Sequence, residues 1–388
     1  MKLFFDDVNF DGQLQCAVGK CDARMANVGE CLYIASQITP GDRDSWYAGW
    51  SQFADGLRQE ADDALAAGHT VSAAGCYLRA AEYYRQAFFW HRDDLDCTEL
   101  TTAYRAHVKA FRAALPHLDL SVTLLEGDTP GYLFTPPGDG PFPTILHIGG
   151  YDGTAEELYA AVYHAIDRGW ALAALDGPGT GTVLYDRRQP MRPDWENVVP
   201  GMVDLLLTGK KVDPTRIVLV GRSFGGLLAP RGASGEPRLA AMVVDPGQYD
   251  MGEALASRFG GLWHSVDDPG ADAQFNALMD IPAMKTLIGP RMVTHGVTSP
   301  RAWAADMRRY NCREQAPKIT CPSFVTDNET DPVSTGQGQK LFDALTCPKE
   351  FRRFLQKEGA EGHCEGMAPV VFWAAAFDWL ASTFGSRR

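Results

Sequence analysis

The chain has 388 residues, 45% hydrophobic and 22% charged, the make-up of a soluble globular protein with room for one large domain plus an appendage or for two to three average domains. Its net charge of -13, with no basic run to offset it, argues against a nucleic-acid or anionic-membrane partner and leaves small-molecule or carrier-bound substrates. Nine cysteines without a C-x-x-C pair give no metal or redox motif, so no metal and no cofactor are expected, and the thiols read as small side chains in a reducing compartment.

At the start, Asp6 and Asp7 end the apolar run Met1 to Phe5 far short of a signal peptide. No stretch reaches the ~18 apolar residues of a membrane span, and the longest, 370–380, carries Asp378, so a cytoplasmic protein is expected. Residues 1 to about 40 lack a clear pattern. After Asp44-Ser45, an N-cap signal, Trp46, Trp50, Phe53, Leu57, Ala61 and Ala64 recur at three- and four-residue steps. A second helix is expected over about 71–90 and a third over about 100–114. The first two resemble a single tetratricopeptide hairpin, but no period of ~34 residues recurs, so residues 1–117 read as an all-helical N-terminal domain.

From Leu118 the period changes. Val122 to Leu125 and Gly131 to Thr135 read as a hairpin closed by Gly127-Asp128-Thr129-Pro130. Strands at 144–148, 170–175, 216–220 and 241–244 then alternate with helices at 154–167 and 194–207, a rhythm that builds a mostly parallel sheet with helices on both faces. Residues 251–313 break the rhythm with helical patterns around Glu253, Phe275, Met284 and Trp303, and are read as a cap-like helical insertion. Alternation resumes at 322–326, so 118–250 and 314–388 form the α/β core.

The chemistry centres on Gly221-Arg222-Ser223-Phe224-Gly225-Gly226, preceded by an apolar β-branched run and followed by Leu227-Leu228-Ala229. A serine between glycines at a strand-to-helix corner leaves its Oγ exposed above the sheet, the geometry of a nucleophile elbow. A serine hydroxyl needs a base, and the base needs an acid that fixes its tautomer; in this fold both follow the serine, acid first. His363, in a Gly-flanked loop between the last strand and last helix, has that order, whereas His147, His264 and His295 do not. Asp327, Glu329 and Asp331 compete for the acid, and Asn328 to Val333 places Asp331 where a turn of the G-x-x-D type would. For the oxyanion, one backbone N–H is expected from Phe224 and the other from Gly149-Gly150-Tyr151-Asp152-Gly153, with Tyr151 favoured over Gly150. Thr154 and Glu157 form a capping box that accounts for part of that stretch without catalysis. Asp152, Arg222, Glu253, Trp263 and Trp303 are read as substrate contacts, with Trp46 or Trp50 as further walls of an aromatic pocket, although core packing explains each aromatic equally well.

These stretches, together with Asp176-Gly177-Pro178-Gly179, Glu236 to Ala241 and Gly362-His363, resemble the α/β-hydrolase superfamily. Within it they are similar to the FrsA-like branch, which holds dihydroxypseudooxynicotine hydrolase and the fungal pigment-pathway hydrolases that shorten polyketides. One departure is Thr180-Gly181-Thr182, where relatives often have Gln-Gly-Glu. The resemblance implies hydrolysis at a ketone with carbon–carbon cleavage of a polyketide-like or aryl compound, and by analogy a homodimer. The same groups serve an esterase, thioesterase or acyltransferase, a non-covalent elimination, or, in another class, a non-catalytic binding protein.

Overall fold

In the computed structural model, which describes residues 2–385, the patternless start folds into two helices, α1 (Val8–Val18) and α2 (Val28–Ser36). The period of α1 is hidden because it buries polar residues. Asp11 turns inward and accepts from the N–H groups of Leu3, Phe4 and Phe5, while Gln13 Nε2 donates to Gln86 Oε1 at 2.7 Å. Such residues on the buried face erase the apolar stripe by which a helix is recognised. The starts are marked by caps instead: Asp7 accepts from the Asn9 and Phe10 N–H groups, and Asn27 from those of Gly29 and Glu30.

Then come α3 (Arg43–Ala66), α4 (Thr70–Phe88) and α5 (Thr98–Ala114). Trp46 and Trp50 are fully buried among them, the Trp46 Nε1–H donating to the Gln86 carbonyl at 2.7 Å and the Trp50 ring 5.2 Å from that of Tyr83. Both are core residues of a compact unit formed by the chain up to Val122 together with Tyr159–Tyr163; Thr123–Leu158 and the chain from His164 onward form the other unit.

Beyond α5 the chain runs through β1 (Ser121–Leu125), β2 (Gly131–Thr135), β3 (Phe142–Ile148), α6 (Val162–Ile166), β4 (Ala171–Leu175), α7 (Gly181–Tyr185), α8 (Val199–Leu207), β5 (Val212–Arg222), α9 (Gly225–Gly235) and β6 (Ala241–Asp245). Residues 251–313, expected to be an insertion, hold α10 (Met251–Phe259), α11 (Gly261–His264), α12 (Asp272–Asn276), α13 (Pro282–His295) and α14 (Pro300–Met307). The chain closes with β7 (Ser323–Asn328), α15 (Gln337–Ala344), β8 (Lys349–Phe354) and α16 (Pro369–Phe384). The eight strands form one sheet in the order β1-β2-β4-β3-β5-β6-β7-β8, antiparallel at β2–β4 and parallel from β4 to β8. β4 and β6 are buried at every position, as strands covered on both faces must be.

Two expected helices are shorter than their sequence pattern. Residues 154–167 hold a 3₁₀ turn at Glu157–Ala161 before α6, and 194–207 a 3₁₀ turn at Trp195–Asn197 before α8, which opens with Pro200 in its first turn, where no N–H is needed. Thr154 Oγ1 accepts the Glu157 N–H at 3.2 Å, and the buried Asp176 binds the Ala155 and Thr182 N–H groups, both at 2.8 Å, tying the loop after β3 to the start of α7. Burial, and then the Glu156 carboxylate, push the Asp176 carboxyl up to about 8.

The Asp11 carboxyl lies below its ordinary value of 3.8: burial opposes the shift, and the N–H groups of residues 3–5 with Gln15 outweigh it. A depressed folded-state value means stability that is present above the unfolded pKa and lost as pH falls through the folded one. Asp11→Ala, which leaves buried N–H groups unpaired, is expected to destabilise by about 1–3 kcal/mol near neutral pH. Urea unfolding at pH 7 and pH 3 checks this, the deficit shrinking in acid.

Candidate active site

β5 ends at Arg222, and the next residue, Ser223, takes the left-handed conformation, φ 58°. Its N–H donates to the Asp245 carbonyl at the end of β6 at 2.8 Å, and α9 begins two residues later. The turn is so tight that a Cβ on Gly221 would lie 2.1 Å from the Gly225 carbonyl oxygen, which is why glycine stands there.

The loops after β7 and β8 bring the other two groups to this corner. His363 Nε2 lies 2.8 Å from Ser223 Oγ, and His363 Nδ1 lies 3.0 Å from Asp331 Oδ2. The Gly362 N–H donates to Thr330 Oγ1 at 2.9 Å, so the histidine loop is stitched to the acid loop, and the Val333 N–H binds Asp331 Oδ1 at 2.8 Å. Burial works against charge on Asp331, but the His363 hydrogen bond and charge outweigh it and hold the carboxyl below the usual range. His363 is raised well above 6.5: burial opposes the shift, while the neighbouring Cys364 thiol, where ionised, and the Asp331 hydrogen bond and charge raise it. Burial pushes the Cys364 thiol up, so near neutral pH the sulfur carries no charge, and the Asp331 carboxylate is the source of the pull. Of the other acids, Asp327 accepts its neighbour Asn328's N–H and Glu329 accepts the Gln356 N–H; neither is bonded to His363. His147, buried on β3, is pushed down to about 3 by burial and then by Arg222, and is therefore neutral.

The loop after β3 approaches the serine from the other side. A Cβ on Gly150 would lie 2.5 Å from the Phe224 nitrogen and 2.9 Å from Ser223 Oγ, so the missing side chain leaves open the space between the serine oxygen and the Phe224 N–H. Among the described residues no acceptor takes the N–H of Phe224 or Tyr151. The Tyr151 ring stacks on Phe224 at 4.2 Å. Ser223, His363, Phe224 and Tyr151 all face a cavity of about 520 Å³ roofed by the insertion through Met251, Leu287, Trp303 and Met307. Asp152 and Glu253 line it as well, the Glu253 carboxylate pairing with Lys340 at 2.6 Å.

Two expected substrate contacts lie elsewhere. Trp263 is packed inside the insertion, its ring 6.3 Å from Phe259 and its carbonyl bound by Arg308. Arg222 turns away from the cavity: it pairs with Asp245 at 2.8 Å and Glu365 at 3.2 Å and donates to the Cys364 carbonyl. Asp245 and Glu365 are both fully buried. Burial, and then Asp245, push Glu365 well above the ordinary carboxyl value, so it holds a proton while Asn328 donates to its other oxygen at 2.6 Å. This cluster joins the elbow strand to the histidine loop, and sequence reading missed it because its members lie 23 and 143 residues from Arg222. In the helical unit, His91, Cys97 and Glu99 bring donor atoms within 4.8 Å of one another, but the Arg43 guanidinium, 3.1 Å from His91 Nδ1, puts positive charge where a cation would sit.

A mostly parallel sheet with a serine at the sharp turn after its central strand, and acid and histidine on later strand-end loops, defines the α/β-hydrolase class. The chain matches the Esterase FrsA-like family over residues 41–251 and belongs to it. It is 31% identical to Hydrolase acrC of Aspergillus aculeatus over 94% of each chain. It is 30% identical to the 20-hydroxy-prefusarin hydrolase FUS2 of Gibberella moniliformis over 100% of this chain and 99% of that one. Its fold is similar to that of 2,6-dihydroxy-pseudo-oxynicotine hydrolase, with a TM-score of 0.73, 22% identity and coverage of 94% and 95%. The chain is thus an enzyme, an α/β-hydrolase, and no single helix among the described residues is long and apolar enough to cross a membrane.

Gly150→Ala is expected to lower kcat/KM at least ~100-fold by filling the space before the Phe224 N–H, the scale of losing an oxyanion donor. Steady-state kinetics on a variant shown to be folded by circular dichroism checks this.

Proposed function

We propose that the chain is a serine hydrolase that cleaves the carbon–carbon bond beside a ketone in an aryl ketone or β-dicarbonyl compound, with Ser223 as nucleophile, His363 as base and acid, and Asp331 as the orienting carboxylate. The observation that carries it is the continuous chain of contacts from Ser223 Oγ through His363 to Asp331, at 2.8 and 3.0 Å. Ser223 Oγ adds to the ketone carbon as His363 Nε2 takes its proton. The resulting alkoxide sits against the Phe224 and Tyr151 N–H groups, with Gly150 leaving it room. The carbon–carbon bond breaks, His363 returns the proton to the departing carbanion, and a water deprotonated by His363 then releases the acyl group from Ser223 as a carboxylic acid. A carbanion leaves only if its charge is spread, hence a second carbonyl or an electron-rich ring. The apolar wall of Trp303, Met251, Met307 and Leu287 suits such a body.

The choice of carbon–carbon cleavage rests on the family resemblance, within which one relative is named for hydrolysis of 20-hydroxy-prefusarin. The esterase description of the family favours a second reading, hydrolysis of an ester or thioester by the same atoms. Nine free cysteines fit a reducing cytoplasm.

Intact-protein mass after exposure to a fluorophosphonate tests the nucleophile: an adduct is expected on wild type and none on Ser223→Ala or His363→Ala. Folded wild type that takes no adduct overturns the reading. Turnover of a β-diketone and an ester panel then separates the two bond types. Because the imidazole must be neutral to act as base and Asp331 raises its pKa, kcat/KM should rise with pH along a limb centred above 6.5. In Asp331→Asn that limb should move to lower pH and kcat should fall by roughly 10⁴.

A further inference from the structure

His295 has the wrong sequence order for a catalytic base, yet it lies against the site. The Tyr151 hydroxyl, beside Met307 Sδ at 3.1 Å, donates to His295 Nε2 at 2.7 Å, and His295 Nδ1 lies 2.7 Å from Asp306 Oδ2, whose other oxygen accepts from Arg309 at 2.8 Å. Burial lowers the His295 pKa against the pull of Asp306, so the ring is neutral near pH 7. Asp306 stays ionised, since His295 and Arg309 overcome its burial. A neutral ring has one N–H, and the carboxylate fixes it on Nδ1, which leaves Nε2 as the acceptor for Tyr151. Burial keeps Tyr151 a phenol, so its proton points at His295.

His295 ends α13 and Asp306 lies in α14, both in the insertion, whereas Tyr151 belongs to the core loop after β3. Neither His295 nor Asp306 is hydrogen-bonded to Ser223 or His363. They hold one edge of a ring whose face stacks on Phe224 at 4.2 Å; the Phe224 nitrogen borders the gap at Gly150 beside the serine oxygen, and Tyr151 follows Gly150 and lines the same cavity. Tyr310 packs against the same assembly, 4.9 Å from His295 and 5.4 Å from Phe224. We propose that His295 and Asp306 are positioning residues that, through the Tyr151 hydroxyl, hold the Tyr151 and Phe224 backbone N–H groups on the oxyanion, so that the insertion completes the oxyanion hole. The inference rests on the serine-hydrolase reading above. A displaced donor weakens the transition state and leaves substrate binding nearly untouched, because the alkoxide exists only after attack.

The test measures p-nitrophenyl butyrate hydrolysis per fluorophosphonate-titrated site, which excludes misfolded protein, together with the affinity of phenylboronic acid, whose tetrahedral serine adduct places an oxygen in the hole. Tyr151→Phe keeps the ring and removes only the link. Its kcat should fall roughly 10- to 100-fold with KM within about threefold, and boronate affinity should fall by a similar factor. His295→Ala should match it, the double variant should be no worse than the weaker single, and His295→Gln, whose amide oxygen can accept from Tyr151, should recover part of the loss. Wild-type kcat and boronate affinity in Tyr151→Phe, or losses that multiply in the double variant, would overturn the inference. Wild type that takes no fluorophosphonate overturns the hydrolase reading, and this inference with it.

Discussion

The hydrogen bond from the Ser223 N–H to the Asp245 carbonyl holds a backbone conformation that a residue with a side chain disfavours by roughly 1–3 kcal/mol. It is available because β5 and β6 are parallel neighbours in which Arg222 stands opposite Asp245, so the sheet register delivers the acceptor to the point where the chain must turn. From that turn follow the direction of Ser223 Oγ, the start of α9 and the place of the Phe224 N–H. Strain at one residue is sustained by pairing that runs from Val218 to Arg222 along the whole of β6.

The same register sets the electrostatics beneath the site. The last residue of β5 meets Asp245 on the neighbouring strand and Glu365 from the histidine loop, and one guanidinium serves two buried carboxyl groups only if one of them is protonated. Such a cluster adds less to stability than its short distances suggest, because desolvation offsets the attraction. What it supplies is registration. The strand that leads to Ser223 and the loop that carries His363 are fastened to one side chain, and neither it nor its two carboxyl partners line the cavity.

That Ser223, Asp331 and His363 come together was legible because few residues of those types stand in the right chain order, with glycines where backbone crowds backbone. The sheet was legible from the alternation of short apolar runs with helical patterns. The first helix was not, since Asp11 and Gln13 occupy buried positions and their partners lie elsewhere in the fold; the second has nine residues and buries only Cys31, Ile34 and Ala35, too few to show a period. Arg222 was misread for a related reason: the residue before the serine invites a role at the substrate, and nothing local shows that Asp245 and Glu365 will be beneath it. Trp263 and Trp303 carry the same sequence signal, but one fills the interior of the insertion and the other faces the cavity, a matter of helix rotation that composition does not record. The contact between Tyr151 and His295 spans 144 residues and leaves no periodic trace.

That contact bears on how freely this enzyme can be rebuilt. Helical insertions over α/β cores invite treatment as interchangeable parts, one exchanged for another to alter what the cavity admits. Here the core loop hands a buried phenol proton to the insertion, and an exchanged segment without an acceptor at that point would leave the hydroxyl unpaired in an apolar surrounding. Residues 251–313 and Tyr151 are therefore joined by a buried hydrogen bond, although 99 residues separate the tyrosine from the segment's first position. New substrate range is open through individual cavity-facing side chains such as Leu255 and Leu287, with the segment itself kept in place.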